Sequence, residues 1–199
     1  MSGGQGGRMK LLILDRDGTL NEDRDDFVKS PDEWQPLPGA LEAVARLNRA
    51  GWTVVVATNQ SGLARGLFDV ATLEAMHAKM AALLAAHGGR VEKVYYCPHG
   101  PDDGCDCRKP RPGLFRRIAE DFGVDLSGVP TVGDSLRDLQ AGAALGCATH
   151  LVRTGKAARL DAAGLAELCQ RVPGTQVHAD LPAFADALLR GDAAGASLA

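Results

Sequence analysis

The sequence predicts an α/β protein built on a doubly wound, mainly parallel sheet with helices on both faces. Short unbroken apolar runs, Leu11–Leu14 (LLIL) and 53–57 (TVVVA), have the pattern of central strands buried on both sides. Amphipathic helical stretches separate them, and acids, hydroxyls and amides collect just after them, where open α/β sheets bind ligands. Strands alternating with helices imply right-handed crossovers.

Taken in order, the first strand ends abruptly at Asp15. Residues 38–50 place Leu41, Val44, Ala45 and Leu47 on one helical face, and Gly51 follows where a left-handed stop is wanted. After the second strand, a helix over 70–86 starts behind Asp69, a suitable N-cap, and aligns Leu73, Met76, Met80 and Leu83 or Leu84 toward a core. Residues 91–96 read as a third strand and 113–122 as a helix with Phe115, Ile118, Ala119 and Phe122 inward. A fourth strand over 130–132, a helix over 136–145, a strand near 148–152 and a closing helix over 179–190 complete the pattern.

At 199 residues the chain suits one domain, expected over 9–190, with tails over 1–8 and 191–199. With 45% hydrophobic and 24% charged residues, it has no apolar run long enough to span a bilayer, so no membrane partner is expected. The segment MSGGQGGR lacks the apolar middle of a secretion signal, which predicts a cytoplasmic protein. The 22 Lys and Arg residues are scattered and the formal net charge is −3, which argues against a nucleic-acid partner. A monomer acting on a small anion is expected.

Four segments follow the strands: Asp15-Arg16-Asp17-Gly18-Thr19, Thr58-Asn59-Gln60-Ser61-Gly62, Arg108-Lys109-Pro110 and Gly133-Asp134-Ser135. Each alone is ordinary turn chemistry; their order behind successive strands is not. Transfer of a phosphoryl group needs an in-line nucleophile, cations on its equatorial oxygens and a proton donor for the leaving alcohol. Asp15 is placed to be the nucleophile and Asp17 the acid and base. Asp134 and Asp15 offer the oxygen ligands that Mg²⁺ prefers, Thr58 a hydrogen bond to phosphate, and Lys109 a compensating charge.

Cys97, His99, Cys105 and Cys107 are the ligand set of a closed tetrahedral structural Zn²⁺ site. All four positions would be filled by protein, so the zinc is expected to fold the loop that delivers Arg108 and Lys109, not to activate water. Cys147 and Cys169 are isolated, and His77, His87, His150 and His178 have no partner spacing.

These segments resemble the haloacid-dehalogenase-like phosphatases, whose four motifs match Asp15-x-Asp17-Gly18-Thr19, Thr58, Lys109 and Gly133-Asp134-x-x-x-Asp138. The resemblance implies that Asp15 and Asp134 bind Mg²⁺ through side chains and Asp17 through its backbone carbonyl. Within that family, Thr58–Gly66 and Cys105–Gly113 resemble the branch acting on D-glycero-D-manno-heptose 1,7-bisphosphate, an intermediate of bacterial surface polysaccharide synthesis. A histidinol-phosphate branch shares the zinc loop. Many heptose-branch members carry Lys where this chain has Ser135. The segments between strands are too short for a large cap domain, so loops must supply specificity. Asn59, Ser61, Arg65, Arg108 and Ser135 are the expected contacts to a phosphorylated sugar, with Arg108 gripping a second phosphate. A receiver-like signalling domain is the rival of another class, but a second acid beside the nucleophile suits rapid turnover.

Overall fold

The computed structural model describes residues 9–196; the tail expected over 1–8 and residues 197–199 lie outside it. The elements run β1 (Leu11–Leu14), α1 (Ala40–Arg49), β2 (Thr53–Asn59), α2 (Val70–Ala86), β3 (Lys93–Cys97) and α3 (Gly113–Phe122). They continue as β4 (Pro130–Gly133), α4 (Leu136–Ala143), β5 (Ala148–Val152), α5 (Ala162–Arg171), β6 (Gln176–His178) and α6 (Leu181–Ala196). All strands are parallel, in one six-stranded sheet of order β3-β2-β1-β4-β5-β6. The doubly wound expectation is met.

The period-two alternation of strand side chains divides the core into two main slabs. Leu12, Leu14, Val54 and Val56 pack with Leu41, Val44 and Leu47 of α1, Leu73, Met76 and Met80 of α2 and Phe184 of α6. Leu11, Ile13, Val55 and Ala57 face the other way, onto Leu114, Phe115 and Ile118 of α3. A smaller cluster joins Leu139 of α4 to Leu151 and to Leu168 of α5. Every residue of β1 is buried, which is why its sequence is apolar without alternation.

Local signals held where side chains commit the backbone. Asp69 caps α2 by accepting from the Thr72 N–H at 2.8 Å, and Gly51 adopts φ 87° just beyond α1. β2 runs two residues past its expected end because Thr58 and Asn59 pair with Tyr96 and Cys97 of β3. α5 and β6 have no counterpart in the sequence reading. Only Leu168 of α5 is buried, and β6 is the three-residue edge segment QVH, so neither carries a strong apolar period. That edge brings together two histidines expected to be isolated: His150 Nδ1 and His178 Nε2 lie 3.0 Å apart. α6 also continues beyond Arg190, into the span read as a tail. Asp192, in this extension, meets both Lys10 and the Trp52 indole N–H at 2.9 Å.

Phe115 is 1% exposed and anchors α3 on the sheet. Phe115→Ala is expected to cost about 3–5 kcal/mol of unfolding free energy in a denaturant titration; a loss below about 1 kcal/mol would contradict this packing.

Candidate active site

The sheet changes winding direction at β1, which has β2 on one side and β4 on the other, and ligand crevices form at such switch points. The Asp15 N–H still pairs with the Val132 carbonyl at 2.9 Å, so its side chain emerges where β1 stops. Asp134 follows directly on the last residue of β4. Asp15, Asp17, Thr58, Asn59, Ser61, Arg65, Arg108, Lys109 and Asp134 all line one cavity of about 270 Å³. Ser135 does not line it.

At the cavity floor, the Lys109 ammonium donates to Asp15 Oδ1 at 2.8 Å and to the Ala57 carbonyl at 2.7 Å. It also lies 2.6 Å from Asp138 Oδ1. Burial alone would lower the Lys109 pKa, but Asp138 and Asp15 outweigh it and hold the ammonium charged. Burial and the Asp138 charge push Asp15 up to about 6, with Lys109 opposing. Asp134 is pushed up to about 8 by burial and by the Asp138 and Asp15 charges; its nearest donor is the Lys156 N–H at 2.6 Å.

One carboxylate oxygen each from Asp15, Asp134 and Asp138 fall within 4.8 Å of one another. One lysine cannot neutralise three clustered acids, two of them buried. Hard oxygen donors short of positive charge fit Mg²⁺, which when bound relieves this repulsion and draws charge from phosphate oxygens. The crowding also explains Gly18, at φ 83°: a Cβ there would stand 2.2 Å from Asp134 Oδ2.

Asp17 is held differently. Arg16 Nη2 donates to its two oxygens at 3.0 and 3.1 Å, Asn21 Nδ2 at 2.8 Å and Gln60 Nε2 at 2.9 Å. Burial raises the Asp17 pKa, but the Arg16 charge and these hydrogen bonds win and hold it below the usual carboxylate range. Arg16 itself is fully buried, with Nη1 3.2 Å from His77 Nε2. The ring is pushed down to about 4 by burial and by Arg16, so a neutral imidazole accepts from the guanidinium. Arg16 and Gln60 lie inside the first two segments but carried no expected role, Asn21 lies just beyond the first, and His77 had no signal at all.

Two expected substrate contacts have other employment. Asn59 Nδ2 donates to the Lys109 carbonyl at 3.1 Å and its Oδ1 accepts the Lys109 N–H at 3.0 Å, so its amide fixes the lysine's backbone. Ser135 donates through Oγ to Asp138 Oδ2 at 2.6 Å and through its N–H to the same oxygen at 3.0 Å, a capping box that starts α4. Thr58 Oγ1 accepts from Gln60 at 2.9 Å, leaving its own hydroxyl proton to donate.

The cysteine cluster assembles beside β3. Cys97 Sγ lies 3.0 Å from Cys107 Sγ, 3.7 Å from Cys105 Sγ and 3.6 Å from His99 Nδ1, while His99 Nδ1 is 3.3 Å from Cys107 Sγ. These separations exceed the ~2.05 Å of a disulfide and approach the ~3.8 Å tetrahedral edge implied by Zn–S bonds of ~2.3 Å. Three thiols and an imidazole converging in this way fit Zn²⁺. Because β3 ends at Cys97, this loop alone carries the chain from the sheet to Lys109.

A parallel sheet with an acid pair at its switch point and a buried lysine defines a haloacid-dehalogenase-like hydrolase. Residues 106–182 match the family model described as HAD-hydrolase-like, and residues 10–137 match that of the polynucleotide kinase 3 phosphatases. The chain is 62% identical to the D-glycero-beta-D-manno-heptose-1,7-bisphosphate 7-phosphatase of Bordetella bronchiseptica over 183 residues, 92% of this chain and 99% of the relative. It is 57% identical to the enzyme of the same name from Pseudomonas aeruginosa over 180 residues, 90% and 98% of the two chains. The crystal structure of the B. bronchiseptica D,D-heptose 1,7-bisphosphate phosphatase, complexed with magnesium and phosphate, superposes with a TM-score of 0.86 at 61% identity, covering 92% of this chain and 99% of that one. The corresponding Burkholderia thailandensis structure gives 0.69 at 51% identity, over 90% and 98%. The chain belongs to the heptose bisphosphate phosphatase family. No helix among the described residues is long and apolar enough to cross a membrane.

Zinc is expected at one equivalent in protein purified without chelator, measured by elemental analysis, and its removal should raise hydrogen exchange over 97–109 while β1 stays protected. Zinc-free protein with an unchanged exchange pattern would contradict the structural role.

Proposed function

We propose that this protein hydrolyses the C7 phosphate of D-glycero-D-manno-heptose 1,7-bisphosphate, in activated-heptose synthesis, as a cytoplasmic monomer. The observation that carries the chemistry is that two acids, separated by one residue in the sequence, have different partners and pKa values shifted in opposite directions. Asp15 is in contact with the Lys109 ammonium, and Asp17 is held apart by Arg16.

In this reading an Asp15 oxygen attacks phosphorus in line, and the bond from phosphorus to the C7 oxygen breaks. Asp17 gives that oxygen its proton as the alcohol departs. Arg16 favours the ionised acid, but the two negative charges of an entering phosphate oppose it and favour proton uptake by Asp17. In the second half Asp17, again an anion, takes a proton from water, which attacks the phosphoaspartate and frees Asp15 and inorganic phosphate. Thr58 donates to a phosphate oxygen, and Lys109 compensates the charge that builds there. The metal ligands in this reading are Asp15, Asp134 and the Asp17 backbone carbonyl.

Substrate identity rests on the family and on the cavity rim. Ser61 and Arg65 come from the β2–α2 loop and Arg108 from the zinc loop, and both arginines line the cavity that holds Asp15. A bidentate guanidinium suits the second phosphate of a sugar bisphosphate. Histidinol phosphate, with its single phosphate, would leave that rim unmatched.

Turnover of heptose 1,7-bisphosphate is expected to exceed that of histidinol phosphate at equal concentration. Efficient histidinol phosphate hydrolysis without heptose bisphosphate activity would sink the assignment. Asp15→Asn should lower kcat about a thousandfold or more with the melting temperature preserved. Asp17→Asn should lower kcat by about 10²–10⁴-fold; near-normal turnover in that variant would remove Asp17 from its acid/base role.

A further inference from the structure

Six cations line the active-site cavity: Arg24, Arg65, Arg108, Lys109, Arg137 and Lys156. Three already have carboxylate partners. Arg24 pairs with Asp26 at 3.0 Å, Lys109 with Asp15 and Asp138 at 2.8 and 2.6 Å, and Lys156 with Asp23. The other three have none. Arg65 lies over the Phe27 ring at 5.5 Å, and Arg108 donates to the His99 carbonyl at 3.2 Å. Arg137 makes no hydrogen bond and no ion pair among the described residues.

These three guanidiniums come from different elements: Arg65 from the β2–α2 loop, Arg108 from the zinc loop, and Arg137 from the first turn of α4. All three line the same cavity. Unpaired like charges gathered around one cavity favour an anion between them. Arg137 also has a firmly placed backbone. The Ser135–Asp138 capping box fixes the helical turn that carries it, whereas Arg65 stands on an exposed loop. The same box occupies Ser135, so the motif-four segment presents its cation at the third residue after Asp134 and none at the first.

We infer that Arg137 is a specificity-determining residue which, together with Arg65 and Arg108, binds the second phosphate of a sugar bisphosphate while the first reacts at Asp15. This rests on the bisphosphate reading proposed above and adds the residue that enforces it. The two phosphates of a heptose 1,7-bisphosphate sit at opposite ends of the sugar, so the second anion must be met away from the Asp15 floor. Arg137 is a binding group and touches no reacting atom.

The test is steady-state kinetics of the zinc- and magnesium-loaded enzyme on heptose 1,7-bisphosphate and on heptose 7-phosphate, in wild type, Arg137→Gln and Arg137→Lys. Loss of a charge-assisted hydrogen bond predicts a rise of about tenfold or more in KM for the bisphosphate in Arg137→Gln, with a smaller change in kcat. The preference for bisphosphate over monophosphate should shrink by the same factor. Arg137→Lys should recover part of it, because a point charge remains but the planar fork is lost. An unchanged preference in Arg137→Gln, or an equal proportional loss on both substrates, would overturn the inference. A wild-type enzyme with no preference for the bisphosphate overturns the bisphosphate reading and this inference with it. A wild-type preference that survives Arg137→Gln overturns this inference alone.

Discussion

One ammonium group lets three acids share the end of a parallel sheet. Lys109 sits 2.8 Å from Asp15 and 2.6 Å from Asp138, and its residue is 2% exposed. A buried charge is tolerated only when it is paired and hydrogen-bonded, and each partner here needs the other. Without the lysine, Asp15 and Asp138 would face Asp134 as buried like charges, and the crevice that the β1/β4 junction creates would lose its shape. The arrangement leaves Asp134 as the acid least served by the protein, which is where a divalent cation gains most.

The position of Lys109 is in turn set from a distance. Its side chain crosses to β2 through the Ala57 carbonyl, and its backbone is clamped by the Asn59 amide on the next strand residues. Immediately upstream, the Cys97, His99, Cys105 and Cys107 cluster ties the loop to the end of β3. A free loop of this length would hold Arg108 and Lys109 in many places, and a metal held by Cys97, His99, Cys105 and Cys107 would remove much of that freedom.

Much of this was legible in the sequence because burial on both faces leaves an unmistakable signature. LLIL and TVVVA have little alternative to central strands, the four motifs were read from their positions behind successive strands, and the four zinc ligands from their clustering. The reading failed where energetics are carried by few residues. α5 buries only Leu168, and β6 is a three-residue polar edge, so apolar periodicity says little about either. Polar side chains with two possible employers are harder to read: Asn59 and Ser135 belong to types that bind ligands or brace backbone, and only geometry shows their hydrogen bonds to Lys109 and Asp138. Arg137 was overlooked for the converse reason: it stands within the motif-four segment as an ordinary helix-surface residue until three chain segments bring unpaired arginines together.

Without a separate folded cap among the described residues, discrimination falls to loops that must be firm without being closed. The segment after β1 is tied across the cavity mouth to the region following β5, through Asp23 with Lys156 and through Asp25 with Arg159 at 2.9 Å. Arg65 over Phe27 links the same segment to the β2–α2 loop. Exposed ion pairs of this kind contribute little to stability singly, about 0–1 kcal/mol each. Their value lies in where they act. Asp23 neutralises Lys156, which also supplies the N–H to Asp134, so the acidic floor and the mouth share a residue. Arg24 and Lys156 are paired internally, whereas Arg65, Arg108 and Arg137 in the same cavity have no carboxylate within ion-pair distance among the described residues. In the proposed reading, a substrate with one anion at each end places one phosphate at Asp15 and Lys109 and the other at the guanidiniums, and the reverse pose is distinguished only by the sugar between them. Selectivity between the two phosphates must therefore come from the shape of the loops against the sugar, while selectivity for having two phosphates comes from charge.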